Sequence, residues 1–386
     1  MANSFLEIGL EAGNRWQGLI AGENPWIRIG TALCGEAAGA FEVADAMESE
    51  LANQAVPGLV SRVGCLGLCF AEPLMDVQIP GGHRIFYGNV SLDDVAEIVS
   101  AHVSGGTPVA RLALGYIAED GSADPLPDSI PDLNQHPMRI WENRIVLRNA
   151  GSIDPLDIYQ YVANGGYQAL HKALTTLDQE KTLEEVKASG LRGRGGAAFP
   201  TATKWSFLAG NPAPEKYVLC NCEEGDPGAF NDKNILESDP NTLVEGVIIA
   251  GYATGASKGY IFIRHGHDGP IERCRAAVEQ ARELGFLGEN IMGSDFSYEI
   301  EIALTGDSYV AGEESALMEA IEGKRAMPRF RPPFPAQFGL FGKPTNINNV
   351  KTLSYVPEIV SKGGEWFAGI GHGRAQVRLY CAFPVT

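Results

Sequence analysis

The chain is poor in positive charge. Thirty Lys and Arg face 48 Asp and Glu, a formal net charge of -18, and such a field repels phosphate backbones and anionic lipid. Nucleic acid is therefore excluded as an expected partner. Long hydrophobic runs are lacking too: stretches such as Leu243 to Ala256, with Glu245 inside, fall short of the ~20 residues that a membrane span needs. Residues 1–18 carry Glu7, Glu11 and Arg15 among scattered apolar side chains, without the basic segment and apolar core of a signal peptide. The expectation is a cytoplasmic protein with no direct membrane insertion and, if it serves a membrane complex, a peripheral one on the cytoplasmic side. Cysteines are few and odd in number, at positions 34, 65, 69, 220, 222, 274 and 381. That count argues against a disulfide framework and leaves metal ligation or buried thiols. No internal repeat is found.

What is present suits a large globular protein. Forty-five per cent of residues are hydrophobic and 20% charged, enough apolar surface to offset chain entropy over two or three domains. Strand and helix signals alternate between residues 26 and 103. Short strands are read near 27–29 and at 59–63, 74–79 and 84–90, and helices at 41–52 and 93–102. Proline, Asp and Ser then crowd 119–137, which reads as a linker. A larger α/β unit follows. Helical stretches are expected at 154–174, 182–188, 243–254 (with Asn241 as a candidate cap) and 270–284, and strands at 217–222, 260–264 and 298–304.

Four segments carry chemistry. In the first, Gly190-Leu-Arg-Gly-Arg-Gly-Gly-Ala-Ala-Phe-Pro-Thr-Ala-Thr-Lys-Trp205, backbone free of side chains lets N–H groups approach a phosphate or flat ring. Arg192, Arg194 and Lys204 supply the countercharge, so an anionic, nucleotide-like ligand is implied; a flexible basic loop is the plainer alternative. Its spacing matches neither a dinucleotide fingerprint nor a Walker loop. The second segment, 217–230, runs from a strand into Asn221, Glu223, Glu224 and Asp226. Carboxylates crowded at the C-terminal end of a strand stand where open α/β sheets bind ligands, although a solvated acidic turn has the same composition. The third places Tyr309, Gly312 and the pair Glu313 and Glu314 just before a helix, whose dipole alone would favour them there. The fourth, 332–349, sets Phe334 among prolines ahead of Asn346, Asn348 and Asn349, a rigid wall and a polar floor rather than a polyproline ligand.

Together these segments resemble the FMN- and NADH-binding subunit of respiratory complex I, a 51 kDa-type subunit, and the diaphorase subunits of NAD-linked hydrogenases and formate dehydrogenases. The likeness runs from about residue 139 to 371. It implies a Rossmann-like α/β FMN-binding domain at 139–365, preceded by a thioredoxin-like 2Fe-2S-type domain at 1–105 and a linker at 106–138. By motif, Gly193, Gly195, Gly196, Lys204, Asn221, Glu223, Tyr309, Gly312, Glu313, Asn348 and Asn349 should surround the flavin. Phe199, Phe207 and Phe334 should flank the dinucleotide, where planar bases stack. Glu224 and Asp226 should face the nicotinamide as the catalytic carboxylates. Glu314 should lie near the adenosine ribose and repel a 2′-phosphate, selecting NADH. Arg331 stands where relatives often carry Lys, keeping the charge and changing the donor geometry. The implied mechanism is hydride transfer from NADH to FMN, then single-electron exit to iron-sulfur clusters of other subunits of a larger complex.

Two departures qualify the resemblance. Cys65-Leu-Gly-Leu-Cys69 supplies one half of a 2Fe-2S ligand set, but in the other half Cys34 is matched by Ile29 instead of cysteine. A cluster with four protein ligands would lack one, so a cluster-free docking domain is the favoured reading. Residues 366–386 read as the start of a truncated C-terminal domain, with strand-like 376–381. The family's ubiquitin-like and helical-bundle domains, and with them its 4Fe-4S site, are thus expected to be absent or truncated. The competing functional reading is a non-catalytic scaffold that docks partner subunits, and a further one is an NADPH enzyme.

Overall fold

A computed structural model describes residues 4–371 except 120, 123, 126, 127, 227 and 307. The expected strand-like 376–381 lies outside these. The chain divides into two compact units, one of residues 9–163 with 237–239 and one of the rest. Each is an α/β body, as the strand and helix alternation anticipates.

In the first unit, β1 (Trp26–Gly30), β2 (Leu59–Val63), β3 (Met75–Gln78), β4 (Arg84–Tyr87) and β5 (Ala113–Ile117) form one sheet in the order β2-β1-β3-β4-β5. Only β1 and β2 run parallel. Ile27, Ile29, Val77 and Ile85 from the strands close a core with Val43 and Met47 of the helix Ala40–Asn53 and Val95 and Ile98 of the helix Leu92–Ile98. Within the sheet, Asp76 accepts from Arg28 Nη2 and Arg84 Nη2, each at 2.7 Å, all three being nearly inaccessible. Burial alone would raise the Asp76 carboxyl, but the two guanidiniums hold it below its ordinary value.

The segment expected to be a linker is not one throughout. Residues 113–117 pair with β4 as the sheet's edge strand. Their short run Ala-Leu-Gly-Tyr-Ile is easily passed over beside the prolines that follow. The helix Phe5–Ile20 was likewise not anticipated.

The second unit holds β6 (Tyr217–Cys222), β7 (Lys258–Arg264), β8 (Glu299–Thr305) and β9 (Thr345–Asn349), in the order β8-β7-β6-β9 and parallel throughout. Parallel strands need crossovers that cover both faces. The one from β6 to β7 is the helix Pro240–Thr254, buried along nearly its whole length. Asn241, expected as its cap, lies inside the first turn and accepts from the Tyr167 hydroxyl at 3.1 Å. The single helix expected over 154–174 is two, Ile158–Ala163 and Gln168–Thr175, parted at Tyr167, whose φ is +58. Buried Glu245 secures that break by accepting from the N–H groups of Tyr167 and Leu170 at 2.9 and 3.0 Å. The Asn-rich tail of the fourth motif, read from the sequence as a polar floor, is the strand β9, paired along β6 in this second sheet. As a result the acidic turn after β6, the segment after β8 and the start of the helix Val350–Ser354 after β9 all leave the same edge of the sheet.

Close packing of the crossover helix sets that edge. A Cβ added at Gly251 would lie 2.3 Å from the ring of Tyr298, which is 1% exposed. The substitution Gly251→Ala should therefore destabilise the protein by about 1–3 kcal/mol, as overpacked cores do, and urea denaturation should show the midpoint falling. An unchanged midpoint would mean that the ring yields without cost.

Candidate functional site

A cavity of about 570 Å³ opens at the C-terminal edge of the parallel sheet. It is lined by Gly195 and Gly196 from the glycine segment, Asn221, Glu223, Glu224 and Asp226 from the turn after β6, Tyr309, Gly312 and Glu313, and Asn349. All four motifs thus contribute, although they lie up to about 150 positions apart in the chain.

The glycine segment is held from both sides. Gly193 N–H donates to the Phe199 carbonyl at 2.9 Å, closing the loop on itself. Arg194 N–H donates to Thr352 Oγ1 at 2.9 Å. Gly196 has a φ of +110, a conformation that a side chain would strain. The exposed rings of Phe199 and Phe207 stand 6.5 Å apart on this segment and the helix Thr201–Ala209 that follows. Phe334 is also exposed, but among the described residues it makes no ring contact.

In the acidic turn each carboxylate has its own partner. Glu223 pairs with Arg264 at 2.6 Å. Asn221 donates to the Gly312 carbonyl at 2.8 Å and accepts from Glu223 N–H at 3.0 Å, joining the second and third motifs. Glu224 accepts from three successive backbone N–H groups, those of Asn231, Asp232 and Lys233, at 2.7 to 3.1 Å. Asp226 accepts from the Tyr309 hydroxyl at 2.8 Å, and that bond raises the phenol above its ordinary value. Glu313 caps the helix Glu314–Ile321 by accepting from the N–H groups of Ser315 and Ala316. Burial works against its ionised form, yet the Ser315 hydroxyl, together with these N–H groups, holds the carboxyl below its ordinary value.

Lys204, Glu314 and Arg331 form a cluster of their own. Glu314 binds the Arg331 guanidinium directly and lies 3.6 Å from Lys204 Nζ. Lys204 also donates to the Ile347 carbonyl at 2.6 Å, and burial lowers its ammonium. Asn348 is turned inward: it accepts from Trp205 Nε1 at 3.2 Å and donates to Asn346, so it supports β9 from beneath the cavity.

Asn231, Asp232 and Lys351 line the cavity without having been singled out from the sequence. Asp232 is 7% exposed, and its carboxyl is pushed up to about 7 by burial and by the nearby charge of Glu224. No local pattern announces it, since the helix Asn231–Ser238 that carries it was not expected from the sequence. Arg264, the partner of Glu223, ends β7, forty-one residues from its partner, with no local pattern to announce it.

In the first unit, interaction with the neighbouring Cys65 and Cys34 thiols brings the Cys69 thiol down to about 6, while burial pushes Cys34 up to about 12. Cys65 also lies 3.7 Å from Glu72 Oε1. Ile29, at the position of the fourth ligand, is fully buried in β1. Among the described residues no group of three or more His, Cys, Asp or Glu side chains is placed to hold a metal ion. With Ile29 where the resemblance expects a thiolate, Cys34, Cys65 and Cys69 supply three of the four cysteine ligands that such an iron-sulfur cluster needs. No helix among them is long and apolar enough to cross a membrane.

Comparison with known proteins bears out the resemblance read from the motifs. Residues 186–358 match the family model described as the Nuo51 FMN-binding domain. The NADP-reducing hydrogenase subunit HndC of Solidesulfovibrio fructosivorans is 49% identical over 228 residues, 59% of this chain and 46% of that protein. An NADH-quinone oxidoreductase subunit of Aquifex aeolicus is 50% identical over 214 residues, 55% of this chain and 50% of that one. Among solved structures, an NAD+-reducing [NiFe]-hydrogenase in the H2-reduced state is 27% identical with a TM-score of 0.50, over 96% of this chain and 57% of that one. The chain spans about half the length of the curated relatives it matches.

The Glu224 contacts make a direct expectation. Removing the carboxylate in Glu224→Ala strands three helix-terminal N–H groups, a loss of about 1–2 kcal/mol by analogy with helix caps. Hydrogen exchange should accelerate at the amides of 231–233, with Glu224→Gln intermediate; unchanged protection there would show that the cap is idle.

Proposed function

From the match of residues 186–358 to the Nuo51 FMN-binding domain, we propose that this chain is a flavin module that oxidises NADH on bound FMN and passes electrons singly to iron-sulfur centres of partner subunits. The observation that carries this reading is the single cavity into which all four motifs converge. When bound there, FMN supplies the chemistry of accepting a two-electron hydride and releasing electrons one at a time.

The residues present suit such a group. Gly195 and Gly196 leave bare backbone along one wall, so a flat ring or a phosphate can approach N–H groups closely. Arg194 and Lys351 bring positive charge to a cavity otherwise rich in acids. Glu223, Glu224 and Glu313 are bound by Arg264 and by backbone donors, so their positions are fixed before any ligand enters. The rings of Phe199 and Phe207 offer apolar faces to planar bases. Tyr309 and Asp226, exposed and bonded to each other, suit the entry side, where the nicotinamide must be admitted and water kept out. No electron path is assigned through the first unit, because Ile29 stands where the resemblance expects the thiolate that would join Cys34, Cys65 and Cys69. The names of the relatives as subunits support an assembly in which partner chains carry the clusters.

Two measurements test this reading. Purified protein should be yellow, with flavin absorbance that bleaches under NADH without oxygen; colourless protein that stays inert after incubation with FMN would favour the scaffold reading. Nucleotide choice should rest on Glu314. In Glu314→Gln the negative charge is lost and the Arg331 guanidinium, left with Glu313 at 3.5 Å as its remaining carboxylate partner, can turn to a 2′-phosphate, so the ratio of kcat/KM for NADPH over NADH should rise on the order of tenfold. An unchanged ratio would place the ribose elsewhere.

A further inference from the structure

The proposed function leaves the carboxyl of Asp232 unused. It is the second residue of the helix Asn231–Ser238, 7% exposed, and lines the cavity. Its backbone N–H is taken by Glu224. Its Oδ2 accepts from Asn349 Nδ2 at 2.5 Å. Its Oδ1 is buried and has no partner. A buried carboxyl oxygen left without a donor is unfavourable, and a proton placed on it removes the charge and creates a donor.

The surrounding groups favour that proton. From the turn after β6, Glu224 presents a negative charge, and from β6 itself the thiols of Cys220 and Cys222 face the same region. Lys351, on the helix after β9, opposes them, and Asn349 donates to the other oxygen. Lys233 is the next residue on the same helix. Burial and the Glu224 charge outweigh the help from Lys351 and Asn349, and the carboxyl rises to about 7.

We propose that Asp232 is a neutral, proton-bearing acid in the wall of the cavity, which donates a hydrogen bond from Oδ1 to an acceptor atom of the bound ring system, a carbonyl oxygen or ring nitrogen. The identity of the ring rests on the flavin reading above; the proton on Asp232 does not. Because Asn349 fills Oδ2, the donor direction is fixed towards the remaining oxygen. An ionised Asp232 would instead turn a second negative charge beside Glu224 towards the ligand's acceptor edge. Occupancy of the cavity is thereby coupled to one proton, and the ligand is held best below the midpoint of that titration.

Infrared difference spectra of the ligand-free protein decide the first half. Wild type minus Asp232→Asn should show a protonated-carboxyl band that titrates away with a midpoint near 7. Absence of that band at about pH 6, well above the ordinary range of an aspartate, overturns the proposal whatever the flavin does. FMN titrations followed by flavin fluorescence decide the second. Wild-type affinity should fall roughly tenfold between about pH 6 and about pH 8.5, a change worth one unit of pKa. Asp232→Asn, which keeps a donor, should bind at both with only the shallow slope of the FMN phosphate, and Asp232→Leu should already be weak at the lower pH. Matching wild-type and Asn profiles overturn the hydrogen bond to the ring. Failure of FMN to bind any of the three at either pH sinks the flavin reading and the ligand half of this proposal, while the infrared result still rules on the proton.

Discussion

The bond between the Glu224 carboxylate and three amides at the head of the helix Asn231–Ser238 fixes most of the site. A helix start offers unpaired N–H groups and positive potential, and a carboxylate there satisfies both. Here the carboxylate comes from the preceding strand's turn, so the bond also sets where that turn runs. With its N–H engaged, Asp232 is aimed at Asn349, and Asn349 in turn caps the helix Val350–Ser354 through Lys351 N–H. Three chain segments are thus registered against one another through a single carboxylate.

The sheet supplies the other requirement. Parallel order β8-β7-β6-β9 delivers each successive C-terminal turn to one edge, and the buried helix Pro240–Thr254 keeps the strands at the spacing that the sheet demands. Much of this was legible in the sequence, for a physical reason. Strands at 217–222 and 260–264 and the helix at 243–254 are continuous apolar runs with sharp ends, and β6 matches its expected limits. The acidic turn and glycine segment stand out by composition, although each alone could equally be a solvated loop; their convergence on one cavity is what the sequence could not show. Less legible were features decided by partners far along the chain. The helix break at Tyr167 depends on Glu245, seventy-eight residues away, and β9 looks like a turn until Tyr217–Asn221 is laid beside it. Asp232 carries no local mark either, since its character comes from burial and from Glu224.

The first unit shows the same division between local and distant causes. Its alternating strands and capped helices follow from periodicity, whereas β5 lies in a segment dominated by proline and becomes a strand only because β4 presents an open edge. The thiols behave likewise. Cys34 and the pair Cys65 and Cys69 come from separate segments, and the neighbouring thiols that draw Cys69 down towards 6 could not be read from spacing alone. The missing fourth ligand, in contrast, was visible at once: Ile29 is an apolar residue in an apolar strand, buried as its neighbours require.

On the proposed function, an acidic chain with an acidic cavity must still admit an anionic ligand, and the pairing pattern answers that difficulty. Glu223 is neutralised by Arg264, Glu224 and Glu313 lie against helix N-termini, and Asp232 is driven towards its neutral form. Of the lining carboxylates this leaves Asp226, bonded to Tyr309 on the exposed side. The field that an incoming anion meets is therefore set more by Arg194, Lys351 and the glycine backbone than by the formal count of acids. Acidic side chains here act chiefly as structural acceptors that position backbone and amide donors. On this view the formal net charge of -18 says little about the field inside the cavity, which its pairings set locally.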